Sequence, residues 1–234
     1  MKTFIIQLLL SCLFTLSLSA QVFENPAYNQ KSHESLIIDK VEITSTNTII
    51  YLSIQNKLEK GGWFCASKDI SITGKTTNKD YKLVKSEGIP ICPEQYHFTK
   101  INEVLKFKLF FAIIDTSDNI IDLTEHCNQA CFFFKNIILD NTFSKKLSNF
   151  EKGLELISDK NYEESIQLFE SILQGENSIE SHIYGLSFYY LILANKELNN
   201  KDKVQYWHKK LINTVINDKE TILQKIEELS LVKE

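Results

Sequence analysis

The spacing of apolar residues changes once along this chain, near residue 141, and that change limits what it can fold into. Before it, Ile50, Leu52 and Ile54 alternate with Ile49, Tyr51 and Ser53, and Leu105, Phe107, Leu109 and Phe111 share one face of a segment whose other face carries Lys106 and Lys108. A period of two is that of a strand with one buried side. After it, Leu147, Phe150, Leu154 and Ile157 recur at intervals of three and four, as do Tyr162, Ile166, Phe169 and Leu173. Such a stripe marks one buried face of a helix. The chain therefore reads as two parts, all-β then all-α.

Strands are expected over 36–44, 48–55, 63–67, 70–73, 81–87, 104–114, 120–123 and 131–140, separated by turn signals such as Ser45-Thr46-Asn47, Gly61-Gly62 and Gly88-Ile89-Pro90. Seven or eight short strands within 36–141 predict a β-sandwich domain of immunoglobulin-like size. Residues 21–35 are polar, with Asn25, Pro26, Asn29 and Ser32, and read as a linker. The β region also resembles a sandwich domain common in exported proteins of Bacteroidetes-type bacteria. The matching pieces are Thr48-Ile49-Ile50-Tyr51-Leu52, the Trp63 strand, Tyr81-Lys82-Leu83 with Gly88-Ile89-Pro90, and Phe107 to Phe111 leading into Ile121-Asp122-Leu123-Thr124-Glu125. That resemblance implies an accessory module without a catalytic site.

From 143 to 234 the chain reads as helical. Asp159-Lys160-Asn161 supplies a tight turn between two amphipathic helices, with Gly153 where the first needs a small residue and Tyr162, Phe169 and Ile172 along the second. This hairpin resembles a tetratricopeptide repeat, with Ser165 in place of the usual Ala at the helix crossing. A second unit places Leu191, Ala194, Leu198, Asn199, Val204 and Leu211 on the same pattern, but Val204 lies 39 residues after Ser165, against a period of about 34. The surplus is expected in a long first helix over 181–198, whose core from Phe188 is apolar on all sides. Asn217 and Glu220 suggest a capping box for a last helix with Ile222, Ile226 and Leu229 as its stripe. The resemblance implies a short tetratricopeptide-like array that binds a protein or peptide.

Residues 1–20 read as a secretory signal: Lys2, an apolar run over 4–16, and Ser17-Leu18-Ser19-Ala20 before Gln21. Leu9-Leu10-Ser11-Cys12 loosely resembles a lipobox, but the apolar run continues past Cys12 to Leu18, which disfavours a lipid anchor there. The destination is thus the periplasm or the exterior. No later apolar run reaches the length of about 18 residues that spans a bilayer. All 26 basic residues are Lys in a chain of net charge -4. Without the guanidinium fork used on phosphates and base edges, nucleic acid is an unsuitable partner.

Export leaves Cys65, Cys92, Cys127 and Cys131, an even number in an oxidising compartment. Four cysteines allow three pairings; proximity favours Cys127 with Cys131, and Cys65 with Cys92 would clamp two distant loops. Glu125-His126-Cys127 with Cys131, joined by His97 or Cys92, is the alternative as a metal cluster, but its spacing is not that of a zinc site. Asp115, Asp118 and Asp122 lack the Gly and Glu of a calcium loop and read as a solvated turn. No serine-hydrolase, phosphate-loop or zinc-protease motif occurs, and no cofactor is called for.

Tyr184, Tyr189, Tyr190, Tyr206 and Trp207 are expected mostly in the helical core, those left exposed being the anchors for a partner; His208 is expected on the surface or lining a groove. The leading expectation is an exported, non-enzymatic interaction or scaffold protein of the cell envelope. The alternative is a small-molecule, glycan or metal-binding module centred on the sandwich loops. Thiol alkylation of the purified, unreduced mature chain should label none of the four cysteines; four labelled thiols would contradict the disulfide reading.

Overall fold

A computed structural model describes residues 20–128, 130–176 and 179–232; the expected export signal, apart from Ala20, lies outside them. Among the described residues eleven strands precede five helices. The strands are β1 (Gln21–Glu24), β2 (Gln30–Lys31), β3 (Leu36–Ile43), β4 (Thr48–Gln55), β5 (Trp63–Phe64), β6 (Ile70–Gly74), β7 (Asp80–Glu87), β8 (Tyr96–His97), β9 (Val104–Phe111), β10 (Ile120–Glu125) and β11 (Phe133–Ile138). Nine form one antiparallel ladder, β1-β3-β4-β9-β7-β6-β10-β11-β2, while β5 and β8 pair apart from it.

Strand β7 turns this ladder into a curl. Its first residues pair with β6, as in Ile72 with Tyr81, and its later ones with β9, as in Ser86 with Leu109. The two halves then enclose a single core, in which Leu36, Ile50, Leu109 and Phe111 from one half meet Ile70, Leu123, Phe132 and Phe134 from the other. These residues are the inward positions of the alternating runs, and each is fully buried. Burying a large apolar side chain is worth about 1.5–3 kcal/mol, so this face fixes the register.

The stretch expected as a linker is part of the sheet. β1 pairs with β3 at one edge of the ladder and β2 with β11 at the other. Between them Asn25 N–H donates to the Asp39 carbonyl, Asn29 N–H to that of Lys135, and Ile138 N–H to that of Ala27. Residues 21–31 thus cross from one edge to the other as a strap. Their polar composition hid this, because an edge strand is paired on one side and needs no alternating apolar run. Phe23, Pro26 and Ala27 are the strap's buried residues.

The helices are α1 (Asn141–Ser158), α2 (Tyr162–Ile172), α3 (Ile183–Glu197), α4 (Lys201–Asn213) and α5 (Lys219–Glu228). Asp140 caps α1 by accepting from Phe143 N–H at 3.0 Å. Next to it, the Asn141 side chain donates to the Val22 carbonyl at 2.7 Å and accepts from Glu24 N–H at 3.2 Å. The first turn of α1 is thereby tied to β1, and Ala27 and Ile138 join the helical core.

Three helices end in the same way without glycine. Lys160, Asn199 and Ser230 take positive φ of 61°, 56° and 48°. The following N–H groups of Asn161, Asn200 and Leu231 bond back to the carbonyls of Leu156, Asn195 and Ile226 at 2.8, 2.8 and 3.0 Å. This is the Schellman closure. α1 with α2 and α3 with α4 are therefore similar hairpins, in phase at the 39-residue spacing. The surplus residues lie elsewhere than expected: α3 has 15 residues, fewer than the 18 of α1, and the added length is in the connection 173–182. An all-round apolar helix carries no stripe to mark its ends, which is why the sequence misplaced it. The capping box is also absent: Asp218, not Asn217, precedes α5 and makes no side-chain cap bond there, while the Asn217 amide donates to Glu180.

Gly153 sets the approach of α1 to α2. A Cβ there would stand 2.8 Å from Cζ of Phe169, a fully buried ring stacked on Tyr190 at 5.3 Å. Gly153→Ala should cost about 1–3 kcal/mol by overpacking, read as a lower urea midpoint, whereas exposed Lys152→Ala should change stability by less than about 0.5 kcal/mol.

Candidate functional site

The loops at one end of the curled sheet converge on a cavity of about 540 Å³. Cys65–Cys92 and Cys127–Cys131 are both disulfides, and Cys65, Cys92 and Cys127 line it. Ala66 forms a bridge with Ile91, and a cis peptide joins Cys92 to Pro93. On the opposite wall the Asn56 amide donates to the carbonyls of Leu58 and Lys100 at 2.9 and 2.8 Å and accepts from Leu58 N–H at 3.1 Å. Gly62 leaves room for that amide, since a Cβ there would lie 2.3 Å from its oxygen. Glu103 closes the adjoining loop by accepting from Tyr96 O–H at 2.6 Å and from Thr99 N–H and O–H at 2.7 and 2.8 Å. The Tyr96 hydroxyl and the Thr99 donors hold its carboxyl down at about 2.

Glu125 lies in the cavity wall with 6% of its surface exposed. Its two oxygens accept from Ser67 N–H at 2.6 Å and Phe132 N–H at 3.0 Å. Burial nevertheless raises its carboxyl above the ordinary range, against the pull of those two donors. The metal cluster considered from sequence is not assembled: the cysteines are bonded to each other, Glu125 holds backbone, and His126 Nε2 meets Ser71 Oγ at 3.1 Å. No group of three or more ligating side chains stands together among the described residues. Of the three aspartates, Asp115 stays in a partly exposed turn, accepting from Ser117 N–H and O–H at 3.1 and 2.8 Å, but the other two differ from the expected solvated turn. Asp118 is buried and accepts from Thr76 N–H, Thr77 N–H and Thr77 O–H at 2.9, 2.9 and 2.6 Å, while Asp122 accepts from Asn136 N–H at 2.8 Å.

The residues expected to offer partner anchors separate by burial. Tyr184, Tyr189 and Trp207 are core, and burial raises both tyrosine hydroxyls. Tyr206 is 49% exposed and His208 is half-buried. On the outer face of α4 the ammonium groups of Lys203 and Lys210 each lie 5.5 Å from the Tyr206 ring. His182 contacts Asp218 at 3.2 Å, but no hydroxyl or thiol meets its second nitrogen among the described residues.

Sequence reasoning missed the cavity and its exposed Trp63. The Gly61-Gly62 pair ahead of Trp63 was the available signal, read only as a break. No known family, curated protein or solved structure matches the chain.

Because the folded-state value of Glu125 lies above its ordinary 4.5, the stability it contributes is full below that pH and fades as pH rises through the folded value. The unfolding free energy of the natural chain minus that of Glu125→Gln should therefore fall as pH rises above 4.5; a difference that is constant or rises would contradict this.

Proposed function

We propose that the chain acts, after export, as a non-enzymatic interaction protein of the cell envelope. In this reading the helices are a short tetratricopeptide-like array that takes a protein or peptide partner, and the β part is an immunoglobulin-like sandwich that supplies a second contact or attachment. Two disulfides support an oxidising destination, and no helix among the described residues is long and apolar enough to cross a membrane. The pair of similarly closed hairpins, with Gly153 fitted against Phe169, supports the array.

The observation that carries the reading is the outer face of α4. Val204, Trp207 and Leu211 pack inward, which leaves Lys203, Tyr206 and Lys210 together on the open side of a chain whose net charge is -4. An aromatic ring flanked by cations suits an acidic partner that also offers an apolar contact. Tagged mature protein incubated with the native envelope fraction should retain a partner whose recovery falls with added salt. Tyr206→Ala and the pair Lys203→Glu with Lys210→Glu should each reduce recovery at least tenfold, about 1.4 kcal/mol or more. Equal recovery by all three proteins would contradict this face as the contact.

A further inference from the structure

The cavity at the disulfide-bonded end of the sheet is independent of α4 and has its own chemistry. Trp63 stands at it with half its surface in water. Its neighbour Phe64 is buried against Phe107 and Phe132, so the strand that carries the exposed indole is anchored from behind. Three polar groups with capacity to spare face the same space. The Gln95 amide makes no hydrogen bond among the described residues, and His33 is bonded to Ser32 through Nδ1 alone, leaving Nε2. Each Glu125 oxygen accepts a single N–H and retains a lone pair.

These features exclude some ligands and favour one kind. One acidic and one basic side chain, Glu125 and Lys57, line the cavity among the described residues, so no field of a single sign draws an ionic ligand. A wholly apolar ligand would leave the Gln95 amide and His33 Nε2 facing it without partners, at a cost of about 1–3 kcal/mol for each group so buried. A ligand with hydroxyl donors and acceptors around its edge, one apolar face and no negative charge satisfies all of them. We infer that this cavity binds a neutral sugar unit of a glycan, its apolar face on the Trp63 indole and its hydroxyls on Gln95, His33 Nε2 and Glu125. The volume of about 540 Å³ lies within the range of roughly 300–1,000 Å³ of small-ligand sites. The disulfides, the Asn56 cross-tie and the Glu103 cap hold the walls before the ligand arrives, which limits the ordering that binding would require. Glu125 is the single carboxylate among the described lining residues, and glycoside hydrolysis needs two. The site is therefore one of binding.

The disulfide-intact mature protein can be titrated with a panel of neutral oligosaccharides built from glucose, galactose, mannose, xylose and N-acetylglucosamine. Intrinsic fluorescence is informative because Trp63 is exposed and Trp207, the other indole, is buried. At least one panel member should give a saturable change, with affinity reduced about tenfold or more by Trp63→Ala and by Gln95→Ala. Both positions are exposed, and unchanged thermal melts of these variants would exclude unfolding as the cause. Tyr206→Ala should bind the sugar as the natural chain does, which separates this site from the α4 contact. No saturable response to any member up to about 10 mM, binding that survives Trp63→Ala, or preference for a uronic-acid oligosaccharide or an aromatic peptide would overturn the inference.

Discussion

One short segment, residues 21–31, holds both edges of the nine-stranded ladder. It pairs with β3 through β1 and with β11 through β2, and its middle is bonded to Asp39 on one side and to Lys135 and Ile138 on the other. A curled sheet that encloses its own core would otherwise present two rows of unpaired N–H and C=O groups to solvent, the usual route to edge-to-edge association. The strap shields part of each, pairing with Lys40 to Ile43 of β3 and with Phe134 and Lys135 of β11. It can do so because β7 is shared by both halves, bringing the two ends of the ladder close enough for a few residues to span.

The same segment links the β and helical parts. Asn141 clasps the β1 backbone from the first turn of α1, and Ser144 Oγ accepts from Ala27 N–H at 3.4 Å. Ala27 and Ile138 are buried among the helices rather than in the sheet core. The helical hairpins thus begin from a fixed origin at one side of the sheet, and the open face of α4 is set by successive packing of α1 on α2, α2 on α3 and α3 on α4. Because α3 packs against neighbours on more than one side, its apolar surface is consumed. α4 keeps a single buried stripe and a polar outer face.

Much of this was legible where burial imposes a period. The strands over 36–55 and 104–111 and the first hairpin over 147–173 follow directly from their apolar spacing, since each has one face in a core. The disulfide pairs were legible from the even number of cysteines expected to follow an export signal and, for Cys127 with Cys131, from proximity. What escaped was structure that leaves no periodic trace. The strap is polar because edge strands bury little, and the length of α3 was obscured by its all-round apolar composition. The cavity is assembled from loops far apart in the chain, bringing Trp63 and Gln95 together with Glu125, which was noticed only as a possible ligand. In each case the deciding contacts are long-range, and local residue type carries no record of them.

Two surfaces of different character follow from this architecture: a cationic, aromatic helix face and a rigid, nearly neutral cavity. We propose the first as the face on which a macromolecular partner docks. Its most direct test is a photoreactive phenylalanine analogue at the position of Tyr206, irradiated in the living cell that makes the protein. A discrete cross-linked species is expected from that position and none from exposed Lys152 on α1. Cross-linking that is equal at both positions, or absent at position 206 while the protein is present and folded, would contradict it.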